Sequence, residues 1–265
     1  MIFLHLKMQL EFYKYQGTGN DFVVIDDRMR QFDVSDEDKI RSICDRRKGI
    51  GADGLILLRN HSYADFEMLY FNADGNLGSM CGNGGRCLVD FAHFLGIIED
   101  DCTFVAIDGL HKAKWTENSV ALKMIDVCEF EVNEDFFYLD TGSPHYVQFV
   151  KDLENYPVFE QGKSIRYNER FKQNGTNVNF VEIQGTTCAV RTYERGVEDE
   201  TLACGTGVTA VAIAAHVSGK NLENPLLVSV LGGILKVSFE EVDGIYKNVW
   251  LTGPVKQVFK GSMKC

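Results

Sequence analysis

No stretch of this 265-residue chain approaches eighteen uninterrupted apolar residues, so no membrane-spanning helix is expected. Positive charge is in deficit. The formal net charge is -11, which argues against a broad nucleic-acid surface and leaves room only for local basic patches. None of the cysteine spacings forms a CxxC zinc pair. The Gly-rich segments CGNGG (from Cys81) and CGTG (from Cys204) lack the Walker lysine and the full G-x-G-x-x-G context, so they do not read as phosphate loops. The first eight residues, MIFLHLKM, are apolar but too short for a signal peptide, and no small-residue cleavage site follows. They read as a leader ahead of a start at Met8, because MQLEFYKYQG reads like an opening strand. The cytoplasm is the expected location.

What is present is ordinary globular composition, 45% apolar and 25% charged. The length suits one large domain or two of about 130 residues each. Eight cysteines (Cys44, Cys81, Cys87, Cys102, Cys128, Cys188, Cys204 and Cys265) sit in a chain long enough to build its own core. They read as thiols in a reducing compartment, most of them small buried hydrophobes.

The strongest signal is an internal repeat. MCGNGGRCLVDFAHFLG (80–96) aligns with ACGTGVTAVAIAAHVSG (203–219) at a shift of 123, which places Cys81 on Cys204, Gly82 on Gly205, Gly84 on Gly207, His93 on His216 and Gly96 on Gly219. The same shift brings TGNDFVV (from Thr18) onto TGSPHYV (from Thr141), and Asn72 onto the segment at Arg195. Two separated matches at one shift indicate a duplicated domain. We therefore expect an N-terminal lobe over 1–128, a C-terminal lobe over 129–252, and a tail over 253–265 that packs back on the first lobe.

Alternation and β-branched or aromatic content predict strands at 10–15, 22–26, 54–59, 65–71 and 103–106. In the second half they predict strands at 136–139, 146–149, 179–184, 187–192, 226–230, 234–239 and 249–252. Each half carries one strongly apolar helix, 84–95 and 207–218, and AVAIAAHV is apolar nearly all round, as a helix enclosed by sheet should be. A polar helix is expected over 35–47, with Ser35 as N-cap and Asp38 at the third position. The fold class is α+β: two pseudo-symmetric lobes, each a barrel-like sheet wrapped around a central helix.

Each paired cysteine immediately precedes a Gly-rich helix start. Such a start exposes N–H groups that hold a carboxylate and lower a nearby thiol's pKa. Facing each other across a cleft, two copies would grip one carboxylate and place its α-carbon between two sulfurs. Inversion of an α-carbon needs that arrangement, one residue as base and its partner as acid. The plain alternative is that Cys81 and Cys204 are small core residues. That alternative is kept for Cys44, Cys87, Cys102, Cys128 and Cys188. Arg195 can clamp a carboxylate and Glu194 can receive an ammonium group; an ordinary surface ion pair is the alternative. Asn20, Asn72 and Asn177 are read as turn residues unless they meet a ligand. His145 reads as a core or loop histidine, His93 and His216 as structural, and Arg46, Arg47 and Lys48 as a solvated helix end.

GTGNDFVVID from Gly17, GIGADG from Gly49, FNADG from Phe71, MCGNGGRC from Met80, GSPH from Gly142, GTNVNF from Gly175, RTYERGVEDETLACGTG from Arg191 and the C-terminal LTGPVKQVF closely resemble the diaminopimelate epimerase family. The resemblance runs from about residue 10 to 260. It implies an isomerase that takes L,L-diaminopimelate to the meso form without pyridoxal phosphate, metal or other cofactor. It implies Cys81 and Cys204 as the acid/base pair, with Cys81 as base toward the L,L isomer. Gly82, Asn83, Gly205 and Thr206 would bind the α-carboxylate, and Asn20 and Glu194 would orient the reacting amino end. Asn72, Asn177 and Arg195 would hold the distal end, and His145 would position catalytic groups. It also implies a homodimer with Phe259 in its interface, and inactivation by oxidation that pairs Cys81 with Cys204. Two positions depart from the family's pattern: Ser143 replaces an asparagine, and Gly54 replaces a glutamine. Competing readings are a two-cysteine racemase of proline or hydroxyproline, which would have no use for the distal-end residues, and a non-catalytic amino-acid-binding protein. A phenazine-type isomerase generally lacks the cysteine pair.

Overall fold

The computed structural model describes residues 9–117 and 119–264. The expected leader ahead of Met8, and Cys265, lie outside the described residues. Contacts divide the chain into two compact units, Met1–Glu117 with Val255–Cys265, and Asn118–Pro254.

The first unit contains β1 (Gln9–Gly17), β2 (Asn20–Asp26), α1 (Glu37–Cys44), β3 (Gly54–Arg59), β4 (Phe66–Asn72), α2 (Gly82–Phe94), β5 (Asp101–Ala106), β6 (Gly109–Thr116) and β17 (Lys256–Lys264). Strand β1 pairs antiparallel with β2, β2 runs parallel to β3, β3 antiparallel to β4, β4 parallel to β5, and β5 antiparallel to β6. Strand β17 returns to pair antiparallel with β1. Helix α2 packs against β1, β2, β3, β4, β6 and β17, so it is enclosed by the sheet. Helix α1 packs against β3 as well, with Ile40 and Ile43 clustered on Leu55 and Leu57, so GLILLR is buried along its whole length, as a strand covered on both faces must be.

The second unit contains β7 (Ser119–Lys123), β8 (Phe130–Val132), β9 (Phe137–Asp140), β10 (Pro144–Phe149), α3 (Val158–Arg166), β11 (Asn177–Gln184), β12 (Thr187–Glu194), β13 (Asp199–Thr201), α4 (Gly205–Val217), β14 (Leu226–Val230), β15 (Gly233–Val242) and β16 (Ile245–Gly253). From β9 to β15 the pairing repeats the sequence antiparallel, parallel, antiparallel, parallel, antiparallel. The repeat is therefore one of topology, and the shift of 123 carries α2 onto α4 end for end. Residues 207–215 of α4 are all buried, and the helix packs against strands β9 to β12 and β14 to β16.

The units divide at 117/118 rather than the expected 128/129, because β7 pairs with β16 and so joins the second unit. Other elements departed from expectation for local reasons. Helix α1 begins later than Ser35: Asp36 is its N-cap and accepts from the Lys39 N–H at 2.9 Å, while Ser35 bonds back to Asp33. Asp38 is thus the second helical residue, and the helix ends at Cys44. Strands β6 and β17 were not expected; both are lysine-bearing and largely exposed, so they carry little apolar alternation. Helix α3 was also unexpected. It contains Gly162, where a Cβ would lie 2.4 Å from the Tyr193 Cβ, so close packing on β12 required the residue that most weakens a helix reading. No helix among the described residues is long and apolar enough to cross a membrane.

Candidate active site

Each central helix has a cysteine as its N-cap. Cys81 has φ −103° and ψ 116°, Cys204 has φ −115° and ψ 109°, and neither sulfur makes a side-chain capping bond. Serine or aspartate in that position would take up first-turn N–H groups; a thiol leaves them directed at the space beside the sulfur. Neither first turn carries an acidic residue to offset the positive end of the helix. Both starts therefore favour a thiolate and a carboxylate. The remaining buried cysteines are of another kind. Burial pushes the thiols of Cys44 and Cys188 up to about 11 and that of Cys102 up to about 12, which makes them unreactive near neutrality.

Beside Cys204 the hydrogen bonds run in a determinable direction. The Asn179 amide nitrogen donates to the Tyr146 carbonyl at 3.0 Å, and its oxygen accepts from the Thr192 hydroxyl at 2.9 Å. The same nitrogen lies 3.1 Å from His145 Nδ1, which must accept. His145 Nε2 therefore carries the proton and donates to Thr206 Oγ1 at 2.9 Å. That frees the Thr206 hydroxyl to donate to Cys204 Sγ, 3.4 Å away. Burial, with the nearby Arg195 charge, pushes the His145 pKa down from 6.5 to about 3, so the imidazole is neutral and works as a fixed donor. A Cβ at Gly207 would stand 2.5 Å from Asn179 Oδ1, which is why glycine follows Thr206.

The same unit gathers Ser143, Asn177 and Arg195. Asn177 donates to Ser143 Oγ at 2.9 Å and accepts from the Arg195 backbone N–H at 3.0 Å, while the Arg195 guanidinium reaches Ser143 Oγ at 3.3 Å. The other terminal nitrogen of Arg195 donates to the Asn174 carbonyl at 3.0 Å, and the residue is otherwise exposed. Glu194 accepts from the Thr201 hydroxyl at 2.8 Å, and burial raises its pKa above the ordinary carboxylate value. A buried carboxylate in that condition gains from a cationic partner.

Beside Cys81, the Asn83 amide donates to Asn20 Oδ1, and Asn20 donates to Asp53 at 3.1 Å. Asp53 is bridged by Arg46 to Asp21, at 2.7 and 2.6 Å. Arg46 is thus part of an ion-pair network rather than a solvated helix end. Burial works against the charge on Asp21, but hydrogen bonds from Arg46 and Lys14 outweigh it and hold the carboxyl down to about 2. Gly54 lies across from Asn72 in the β3–β4 pair. A Cβ at Gly54 would meet the Tyr70 ring at 2.4 Å and the Phe71 carbonyl oxygen at 2.5 Å, so the aromatic ring takes the space a glutamine would need.

Sequence reading missed Asn179, Thr192, Thr18, Arg86 and Asp53. Asn179 had a signal: it lies two residues from Asn177 on one strand, and two such asparagines share a sheet face. Arg86 had one too, as a basic residue with only Asp90 as a further charged residue in an otherwise apolar helix.

The chain matches the family model described as diaminopimelate epimerase over residues 12–127 and 137–258. It is 51% identical over 253 residues to the diaminopimelate epimerase of Flavobacterium psychrophilum, covering 95% of this chain and 99% of that one. Against the diaminopimelate epimerase of Aquifex aeolicus it is 42% identical over 275 residues, covering 96% and 98%. Among solved structures it is similar to a phenazine biosynthesis protein of the PhzF family from Bacillus anthracis, with TM-score 0.75 at 13% identity over 97% of this chain and 100% of that chain. It is also similar to a hydroxyproline epimerase from Agrobacterium vitis, with TM-score 0.68 at 16% identity over 98% and 93%. At those identities the structural likeness is one of fold, including the fold class read from the sequence. With a matching family model and such relatives spanning nearly its whole length, the chain belongs to the diaminopimelate epimerase family.

Proposed function

We propose that this protein interconverts L,L- and meso-2,6-diaminopimelate, with Cys81 and Cys204 exchanging the roles of base and acid at one α-carbon. The observation that carries the reading is the duplicated cysteine N-cap, two thiols of matching backbone geometry at two acid-free helix starts. An amino-acid α-proton is very weakly acidic. Backbone N–H groups at Gly82 and Asn83, and at Gly205 and Thr206, would meet the negative charge that develops on the carboxylate as the proton leaves. In the L,L direction the Cys81 thiolate takes the proton and the Cys204 thiol delivers one to the opposite face; the reverse reaction exchanges them.

Neutral His145 holds Thr206 toward Cys204 and adds no second acid to the site. Glu194 and Asn20 would receive the reacting ammonium end. Asn72, Asn177, Ser143 and Arg195 would hold the distal amino-acid end, with the Arg195 fork on its carboxylate. Ser143 reaches less far than asparagine, and Gly54 offers only backbone. Proline has no distal group for these residues to hold. No metal or organic cofactor enters the proposed reaction. The product would feed lysine and peptidoglycan-precursor synthesis in the cytoplasm. Phe259, exposed on β17 and edge-on to Phe12, supports a homodimer through that strand. Light scattering that finds only monomer at working concentration would remove the dimer.

The test is incubation of reduced protein with L,L-diaminopimelate, and with L-proline in parallel, followed by chiral chromatography. Conversion to a mixture containing the meso form, with proline untouched, is expected. Racemised proline with untouched diaminopimelate would keep the thiol chemistry and overturn the substrate. No change in either would favour a binding protein.

A further inference from the structure

Arg86 is fully buried, yet no carboxylate pairs with it among the described residues. One guanidinium nitrogen donates to Thr18 Oγ1 at 2.7 Å and to Asn83 Oδ1 at 2.9 Å. Its Nε and other terminal nitrogen have no hydrogen-bond acceptor. An unpaired buried guanidinium is among the costlier things a core can hold, and arginine cannot escape the cost by losing its proton. Burial lowers its pKa from the ordinary value, and negative charge on Cys87 or Cys81 would push it back up.

Two further observations attach the group to the Cys81 half-site. Thr18 stands at φ 53°, a left-handed conformation that β-branched residues rarely adopt, and its hydroxyl is the one Arg86 holds. Asn83 is fixed at its oxygen by Arg86, so its nitrogen must point to Asn20, which in turn donates to Asp53. The whole chain of amides is oriented from the guanidinium outward. The other unit is built differently at the same positions. The shift of 123 puts Thr209 where Arg86 stands and Thr206 where Asn83 stands. There Thr209 merely bonds back to the Gly205 carbonyl at 3.0 Å, and a neutral histidine holds Thr206.

We propose that Arg86 is the positioning residue of the Cys81 half-site, orienting Asn83 and Asn20 toward substrate and presenting a fixed positive charge to Cys81. Long helical side chains lean back toward the helix N-terminus, which directs this charge toward the turn that Cys81 caps. At the matching position of the other unit Thr209 carries no charge, so the guanidinium belongs to the Cys81 half-site. The proposal rests on Cys81 being an acid/base residue, but the alkylation arm of its test needs no substrate, so failure to convert diaminopimelate would be distinguishable from failure of the proposal.

The experiment is iodoacetamide alkylation of the full-length protein at pH 7, read cysteine by cysteine by peptide mass mapping, beside steady-state kinetics with diaminopimelate. Arg86→Met is expected to slow alkylation of Cys81 about tenfold, the scale of effect a neighbouring arginine has on a thiol, and to leave Cys204 within about twofold. Arg86→Lys should restore Cys81 alkylation to within about threefold while KM stays raised, because a lysine point charge does not reproduce the planar fork. Unchanged Cys81 alkylation in Arg86→Met, or equal slowing of both cysteines, overturns the proposal. If Arg86→Met does not fold, Arg86→Lys and Thr18→Val carry the test, since both keep the charge. Raised KM with Cys81 alkylation retained supports the positioning role, and unchanged KM in both overturns it.

Discussion

Replacing His145 by glutamine should remove a large acid sensitivity from the fold. The imidazole is wholly buried, accepts from Asn179 and donates to Thr206, and its pKa falls from 6.5 to about 3. The sign follows from proton counting. Between those two values the unfolded chain binds a proton that the folded chain refuses, so stability is complete above about 6.5 and is lost as pH falls toward 3. The whole shift corresponds to about 4–5 kcal/mol, and at pH 5 the loss is about 2 kcal/mol. Glutamine can donate to Thr206 and has no proton to gain. Urea unfolding of both proteins at pH 7.5 and pH 5 isolates the effect, because the carboxylates and other histidines are common to both. The parent should lose about 2 kcal/mol more than His145→Gln between the two pH values. Equal losses would refute a buried neutral imidazole, and with it the direction assigned to the Thr206 hydroxyl.

Thr206→Val strips the acceptor from His145 and the donor from Cys204; loss of a hydrogen bond to a charged sulfur, about 1.5–3 kcal/mol, should lower kcat/KM about 10- to 100-fold, measured by chiral chromatography. Glu194→Gln should raise KM for diaminopimelate yet unfold at higher urea concentration at pH 7, because burial already disfavours the charged carboxylate. Gly54→Ala should cost about 1–3 kcal/mol of stability by urea unfolding, since its Cβ would meet the Tyr70 ring and the Phe71 carbonyl oxygen.

Most of the fold was legible because the duplication carries it. One shift identified both central helices, and alternation located strands such as β3 and β14 end for end. What escaped were elements whose reason for existing lies elsewhere in the chain. Strand β17 forms because β1 offers it an edge, and α3 tolerates Gly162 because Tyr193 leaves no room for a side chain. The site divided in the same way. Residues expected to meet substrate announced a role by their type, whereas the groups behind them lay in the same motifs without one. Asn179 matters through the single nitrogen it aims at His145, and Arg86 through a charge left unpaired, and neither property belongs to a residue read alone. Gly54 shows the reverse case: the departure from the family pattern was visible, but not the Tyr70 ring that takes up the space.

The most direct test of two-thiol chemistry is the early time course of L,L-diaminopimelate in D2O, with deuterium at the α-carbon read by mass spectrometry in substrate and product separately. Two bases predict deuterium in the meso product from the first turnovers, while unreacted L,L substrate keeps its proton, because the abstracted proton stays on its own sulfur. Deuterium entering substrate and product together, or a product that retains the original proton, would mean one shared base and would contradict the assignment of separate roles to Cys81 and Cys204.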